Sequence, residues 1–160
     1  ATPTFPAPAA ALDDRRAADV ADYHRAIRQS VDDFFRDLWP RLTDDTAVVY
    51  TSDHGQSLYE GGYDLSHCSL TPTAHRGELR VPLLVLTKNA ALRDALREPV
   101  ARLRDAADHY ALYSTLLQLM GYAGDWAEHQ YGASLFTARP KARGFLLGTY
   151  NEPGAYWVTY

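Results

Sequence analysis

Two short apolar runs constrain the fold most strongly, because both have the pattern of strands with no polar face. They are "AVVYT" (Ala47–Thr51) and "VPLLVL" (Val81–Leu86). Runs rich in β-branched and aliphatic residues are typical of strands buried on both faces of a sheet. Such a sheet needs helices on both sides to exclude water. We therefore predict an α/β fold with a central, mostly parallel sheet flanked by helices.

The flanking helices are predicted from the spacing of apolar residues. Before the first strand, apolar residues recur at steps of three and four, which indicates one amphipathic helix. This stripe consists of Val20, Tyr23, Ile27, Val31, Phe34, Phe35 and Leu38. After the second strand, residues 90–98 and Asp105–Tyr122 have helical patterns, and "GFLLGTY" and "AYWVTY" indicate two more strands near the end. Between the two apolar runs, residues 55–77 form a long loop, of a length that is usually functional.

Composition excludes several classes of function. The 160 residues carry a formal net charge of -4 and show no basic footprint, so we expect no nucleic-acid partner. No unbroken apolar stretch reaches the roughly 18 residues of a membrane-spanning helix, so we expect no span in this chain. The single cysteine, Cys68, excludes an internal disulfide.

The candidate site lies just beyond the first strand. Asp53 and His54 follow Thr51 by two and three positions, and Gly55 comes next. In open α/β sheets, functional groups gather beyond the carboxyl ends of strands. A carboxylate and a neutral imidazole are good ligands for a divalent metal such as zinc, although a metal site needs about three or four ligands. From these residues alone, a turn with a local hydrogen bond and a metal site both remain open.

The surrounding motifs resemble a known family. "VVYTSDHGQSLYEGGYDLSH" is similar to the Ser-Asp-His-Gly-Glu-Ser-Leu block of the sulfatase/alkaline phosphatase superfamily, and most of all to that of its lipid A phosphoethanolamine transferases. "DHYALYSTLLQLMGY" resembles the Ser-His-Asp-Asn-Leu-Phe-His-Ser-Val-Leu-Gly segment of these transferases, and "YGASLF" resembles the Gly-x-Ser-Leu-Phe near the end of many sulfatase-type chains. The likeness extends over roughly residues 20–150.

This resemblance implies roles for three residues. It makes Asp53 and His54 ligands of a divalent metal, with zinc the expected ion. It makes His67 a catalytic group on the substrate side, one that binds a phosphate oxygen or protonates a leaving group. The implied enzyme is a phosphoethanolamine transferase or sulfatase-type hydrolase that acts on phosphate or sulfate esters. A lipid-linked phosphate ester is the implied substrate, at the periplasmic face of a bacterial inner membrane.

The chain also departs from the family pattern. Gln56 stands where the transferases usually carry Glu, and Cys68 replaces the Gly after His67. Residues 1–46 hold no convincing counterpart of the nucleophilic threonine or of the upstream acidic ligand. We therefore expect residues 13–160 to be the C-terminal portion of a sulfatase-like catalytic domain, inactive alone, and residues 1–12 to be a linker or extended lead-in. The upstream part of the same polypeptide, anchored in the membrane, is the expected partner.

Other interpretations compete with this one. The first is a degenerate relative that keeps the fold as a binding or regulatory module without catalysis, and the second is an autonomous small metal-binding domain. A thiol–imidazole pair of Cys68 and His67 is disfavoured, because neighbouring residues rarely reach each other and no orienting third group is evident. His75 and Glu78 lie in a segment without a helical pattern, so we interpret them as polar surface or a substrate contact.

Overall fold

The computed structural model describes residues 14–62, 65–67, 75–141, 144–147 and 156–159. The predicted linker, residues 1–12, and Cys68 lie outside this range. Within it the chain is a mixture of helices and small sheets, which confirms the predicted α/β class. None of the described helices is both long and apolar enough to cross a membrane.

The predicted first helix is present, but it is not regular. It consists of α1 (Asp14–Ile27), a π-helical turn (Arg28–Asp32), α2 (Asp33–Leu38) and a 3₁₀ turn (Trp39–Arg41), which follow one another without a break. Pro40 lies in the last of these turns, consistent with its effect of stopping a helix.

The apolar stripe of this helix is only partly covered. Tyr23, Ile27 and Phe34 are exposed, whereas Phe35 is half-buried and packs edge-to-face against Tyr50 with ring centroids 5.1 Å apart. The π-helical turn also interrupts the predicted stripe. It holds one extra residue, so the positions after it lie about 100° around the axis from where a regular α-helix would place them.

Six strands are described. They are β1 (Ala47–Thr51), β2 (Ser57–Leu58), β3 (Leu65–Ser66), β4 (Leu83–Thr87), β5 (Gly144–Leu147) and β6 (Tyr156–Thr159). The pairs β1–β4, β2–β3 and β5–β6 form three two-stranded sheets, where the sequence predicts one central sheet. The predicted strands β1 and β4 are mostly half-buried rather than buried on both faces, because their side chains are only partly covered; Leu84 on β4, for example, is 45% exposed.

Two of the remaining helices lie where the sequence predicts them, with shifted ends: α4 (Ala90–Arg102) and α5 (Tyr110–Leu119). The other two, α3 (Arg76–Leu79) and α6 (Gly124–Tyr131), lie in segments that the sequence predicts to be loops. The helix predicted to start at Asp105 begins only at Tyr110, because Asp105 has a positive φ of 57° that interrupts a helix. Its end agrees with the Gly121 signal, since that residue has a φ of 92°.

The chain divides into two compact units, and each is described by itself. The unit that contains the candidate site takes its described residues from Ala1–Leu42, Tyr50–Leu84 and Leu147–Tyr156. The other takes them from Thr43–Val49, Val85–Leu146 and Trp157–Tyr160. Among the described residues of this second unit, the buried apolar side chains include Leu96, Leu103, Ala111, Ala127 and Leu135.

A carboxylate hub organises the loop after α6 in this second unit. One oxygen of Glu128 accepts hydrogen bonds from the Ser134 hydroxyl at 2.6 Å, from the Thr137 hydroxyl at 2.7 Å and from the Gln118 amide at 3.0 Å. Burial alone would raise the pKa of Glu128, but these hydrogen bonds outweigh it and hold the pKa below its ordinary value. The hub therefore stabilises the folded loop most while Glu128 is ionised.

Candidate metal centre

A tight turn follows β1 and carries the two predicted ligands. The Ser52 hydroxyl donates a hydrogen bond to the carbonyl oxygen of His54 at 2.8 Å, and it lies 3.4 Å from Oδ1 of Asp53. Serine hydroxyls commonly bond to the backbone two residues on and so close a turn. On a regular strand, successive side chains point to opposite faces. In this turn Nε2 of His54 instead lies 3.9 Å from Oδ2 of Asp53.

A hydrogen bond to the Gly55 carbonyl determines the tautomer of His54. Its Nδ1 lies 2.7 Å from the carbonyl oxygen of Gly55. A carbonyl oxygen can only accept a hydrogen bond, so Nδ1 carries the proton whenever the ring is neutral. The lone pair is then on Nε2, the nitrogen that faces Asp53. A backbone carbonyl on the other ring nitrogen is also the usual way in which a metal-binding imidazole is oriented.

Asp53 and His54 fit a divalent ion with a small adjustment. Zinc bonds of about 2.0–2.2 Å with tetrahedral angles imply roughly 3.4 Å between two ligand atoms, and the observed separation is 3.9 Å. The Asp53 side chain is 88% exposed and is free to close this difference. Hydrogen bonds from its own backbone N–H and from that of His54, together with attraction to the His54 ring, hold the pKa of Asp53 below its usual value. Asp53 is therefore ionised at neutral pH, as a ligand must be.

The third predicted residue, His67, lies over His54. The two rings stack with their centroids 4.9 Å apart and their planes inclined by only 7°. An imidazole binds a metal through a lone pair that lies in the plane of the ring. One ion cannot lie in two parallel planes that are stacked, so this arrangement places His67 beside the His54–Asp53 pair rather than on the same ion.

Two glycines bring the turn after β1 against the helix α3. The backbone N–H of Gly55 donates to the carbonyl oxygen of Glu78 at 2.8 Å. A methyl group added to Gly55 would lie 1.9 Å from the carbonyl oxygen of Gly77 and 2.6 Å from that of Arg80. One added to Gly77 would lie 2.9 Å from the carbonyl oxygen of Gln56. The two backbones are therefore too close for any side chain between them.

The interpretation of His75 and Glu78 as polar surface is wrong for Glu78. The segment forms the short helix α3, and His75 caps it by accepting a hydrogen bond from the Gly77 N–H at 3.1 Å. Glu78 is only 4% exposed, and one of its carboxylate oxygens accepts a hydrogen bond from the Ser66 hydroxyl at 2.8 Å. A capping His three residues before a Glu was a signal for this helix that sequence reasoning missed.

The described residues contain no complete set of metal ligands. Among them, no group of three or more His, Cys, Asp or Glu side chains is arranged to hold a metal ion. Asp53 and His54 thus form a pair of potential ligands with His67 alongside. The roles predicted for these three residues remain predictions.

Comparison with known proteins gives one match. The family model described as "Sulfatase" matches residues 2–122 of the chain. This range includes all three predicted site residues, Asp53, His54 and His67. No curated protein and no solved structure matches the chain.

Proposed function

Because the chain belongs to the sulfatase family, we propose that it carries part of the active site of an enzyme that acts on phosphate or sulfate esters. In this proposal Asp53 and His54 bind a divalent metal, with zinc the expected ion. The observation that carries it is the geometry of His54: Nδ1 is bound to the Gly55 carbonyl, and the free Nε2 faces Asp53 at 3.9 Å. This hydrogen bond leaves Nε2 as the lone-pair nitrogen, an orientation that supports a metal-binding role for His54.

The bound metal and His67 have different roles in this proposal. When bound, the metal supplies positive charge to a phosphoryl or sulfuryl oxygen. His67 is exposed and lies over the His54 ring, and not on the same ion, so its nitrogens remain available to substrate. We assign it the role of binding an ester oxygen or protonating the leaving group, because an imidazole can donate a hydrogen bond or transfer a proton.

The finer proposal is a phosphoethanolamine transferase with a lipid-linked donor at the periplasmic face of a bacterial inner membrane. Its support is the likeness of the "SDHGQSL", "YEGG" and "LSH" blocks to those of the lipid A phosphoethanolamine transferases. The nucleophile and the missing ligands would come from the upstream, membrane-anchored part of the same polypeptide. The small number of ligands among the described residues supports that requirement.

Zinc titration tests the metal site directly. We expect the Asp53→Ala and His54→Ala variants to bind Zn²⁺ at least about tenfold more weakly than the unmodified chain. His129→Ala is the matched control, because His129 is an exposed histidine on α6 and its loss should leave the affinity unchanged. Equal zinc content in Asp53→Ala and the unmodified chain would show that Asp53 is not a zinc ligand.

Turnover distinguishes an enzyme from a binding module. The assay uses the longest polypeptide that carries this sequence, with 4-nitrophenyl phosphate, 4-nitrophenyl sulfate and phosphatidylethanolamine vesicles as substrates. We expect His67→Asn to lower kcat by about 10²-fold or more while Zn²⁺ affinity stays the same. Zinc binding without turnover of any of these substrates would favour the non-catalytic module instead.

A further inference from the structure

We propose that Gln56 and Glu78 are positioning residues that hold Ser66 and thereby fix the ring of His67 over that of His54. The functional consequence of this inference rests on the role proposed above for His67. The structural part does not, because it concerns only how the two histidine-bearing segments are held together. Gln56 follows the His54 turn directly, and Ser66 immediately precedes His67.

The amide of Gln56 joins the two strands of the small hairpin. Its Nε2 lies 2.7 Å from the carbonyl oxygen of Ser66 and 3.4 Å from that of Ser57. Both neighbours are carbonyl oxygens, which only accept, so the atom that faces them must be the NH₂ group. Ser57 and Ser66 are directly opposite in the antiparallel pairing of β2 and β3. Gln56 therefore holds the hairpin at the end that leads into His67.

Glu78 connects Ser66 to the turn that carries His54. Its carboxylate accepts from the Ser66 hydroxyl at 2.8 Å, and its backbone carbonyl accepts from the Gly55 N–H at 2.8 Å. Ser66 precedes His67, and Gly55 follows His54. One buried residue thus bonds to the chain neighbour of each stacked ring. A carboxylate only 4% exposed is costly without such partners, so its contacts hold it in one place.

This arrangement depends on the departure from the family pattern at position 56. An ionised carboxylate has no proton to donate. A Glu in place of Gln56 would therefore face two carbonyl oxygens without a hydrogen bond, and its charge would repel both of them. We infer that Gln56 is required for the stacking of His54 and His67 in this chain, although the transferases that it resembles usually carry Glu there.

The test measures the stacking itself, in the metal-free chain. Cross-ring nuclear Overhauser effects between the His54 and His67 protons report the distance between the rings. We expect Gln56→Glu to abolish this cross-peak and Ser66→Ala, which removes only the bond to the carboxylate, to weaken it. Glu78→Gln keeps an acceptor for the Ser66 hydroxyl and should retain the cross-peak. Gln130→Glu makes the same charge change at an exposed position of α6 and is the matched control.

The outcomes separate this proposal from the proposed function. An unchanged cross-peak in both Gln56→Glu and Ser66→Ala overturns the positioning role. If Gln56→Glu does not fold, Ser66→Ala decides the question, since it deletes a single hydroxyl. Zn²⁺ titration of the same samples tests the metal site independently, and we expect its affinity to change less than about tenfold in Gln56→Glu. When the chain is active, the loss of alignment should lower kcat by on the order of 10²-fold with little change in KM.

Discussion

The close approach of Gly55 to α3 gives the sharpest stability prediction. Replacing Gly55 by Ala adds one methyl group at a point where two backbones touch. That methyl would lie 1.9 Å from the Gly77 carbonyl oxygen, about 1.5 Å short of ordinary van der Waals contact. Carbonyl groups of the backbone cannot turn aside like the end of a flexible side chain. The turn after β1 must therefore move away from α3.

The size of the effect follows from what this movement breaks. A displacement of more than 1 Å lengthens the 2.8 Å bond from the Gly55 N–H to the Glu78 carbonyl oxygen beyond any useful hydrogen bond. That loss costs about 1 kcal/mol, and overpacking costs typically a further 1–3 kcal/mol. We expect Gly55→Ala to lower the free energy of unfolding by about 2–4 kcal/mol, a large part of the stability of an ordinary domain.

Equilibrium unfolding in urea measures this loss, with Gly62→Ala as the control. Gly62 has a φ of 85°, but an added methyl there would meet nothing within 4 Å. Its substitution adds the same atoms nearby and costs only the left-handed backbone conformation, about 1 kcal/mol. The Gly55 carbonyl also orients His54, so Zn²⁺ affinity should fall in Gly55→Ala and not in Gly62→Ala. Equal unfolding midpoints for the two variants would refute the close-approach argument.

Three further predictions concern single polar groups. Ser57 is fully buried, and its hydroxyl has no hydrogen-bond partner among the described residues. Ser57→Ala should therefore leave the urea midpoint unchanged or raise it. A fall of more than about 1 kcal/mol in the free energy of unfolding would contradict this. Asn89 caps α4, because its side-chain oxygen accepts a hydrogen bond from the Leu92 N–H at 2.9 Å. Asn89→Ala should lower the free energy of unfolding by about 1 kcal/mol in the same measurement. An unchanged urea midpoint would show that the cap does not stabilise the fold. The lowered pKa of Glu128 means that its contribution is complete above the ordinary glutamate pKa of about 4.3 and is lost as the pH falls further. Glu128→Gln should therefore have a lower free energy of unfolding than the unmodified chain at pH 7, and the difference between the two should shrink below pH 4. A difference that does not change with pH would contradict the stabilising role of the ionised Glu128.

Apolar spacing predicts the first helix, β1, β4, α4 and α5, because burial sets both the spacing and the structure, but it misses the short elements β2, β3, α3 and α6. The stripe from Val20 to Leu38 corresponds to a continuous helix, and the apolar runs before Asp53 and after Arg80 correspond to β1 and β4. The ends are less predictable. The late start of α5 depends on the positive φ of Asp105, and nothing in the spacing of apolar residues reports a backbone angle.

The candidate site is predictable in part. The residue types at Asp53 and His54 suggest ligands, and the structure brings His67 to them. The contacts of Gln56 and Glu78 were not predicted, because they depend on how a hairpin with strands of two residues aligns with α3. Hydrogen bonds between segments ten or more positions apart leave no periodic trace in a sequence.

The π-helical turn at Arg28–Asp32 holds one residue more than a regular α-helical turn. Removing one residue from that turn would let the backbone return to regular α-helical bonding, and the positions after it would keep their faces of the helix. A deletion elsewhere in the first helix, with the π-helical turn retained, would instead rotate everything after it by about 100° and carry Phe35 away from the Tyr50 ring on the strand that ends at the candidate site. The π-helical turn is therefore the part of this helix that best accommodates the loss of a residue.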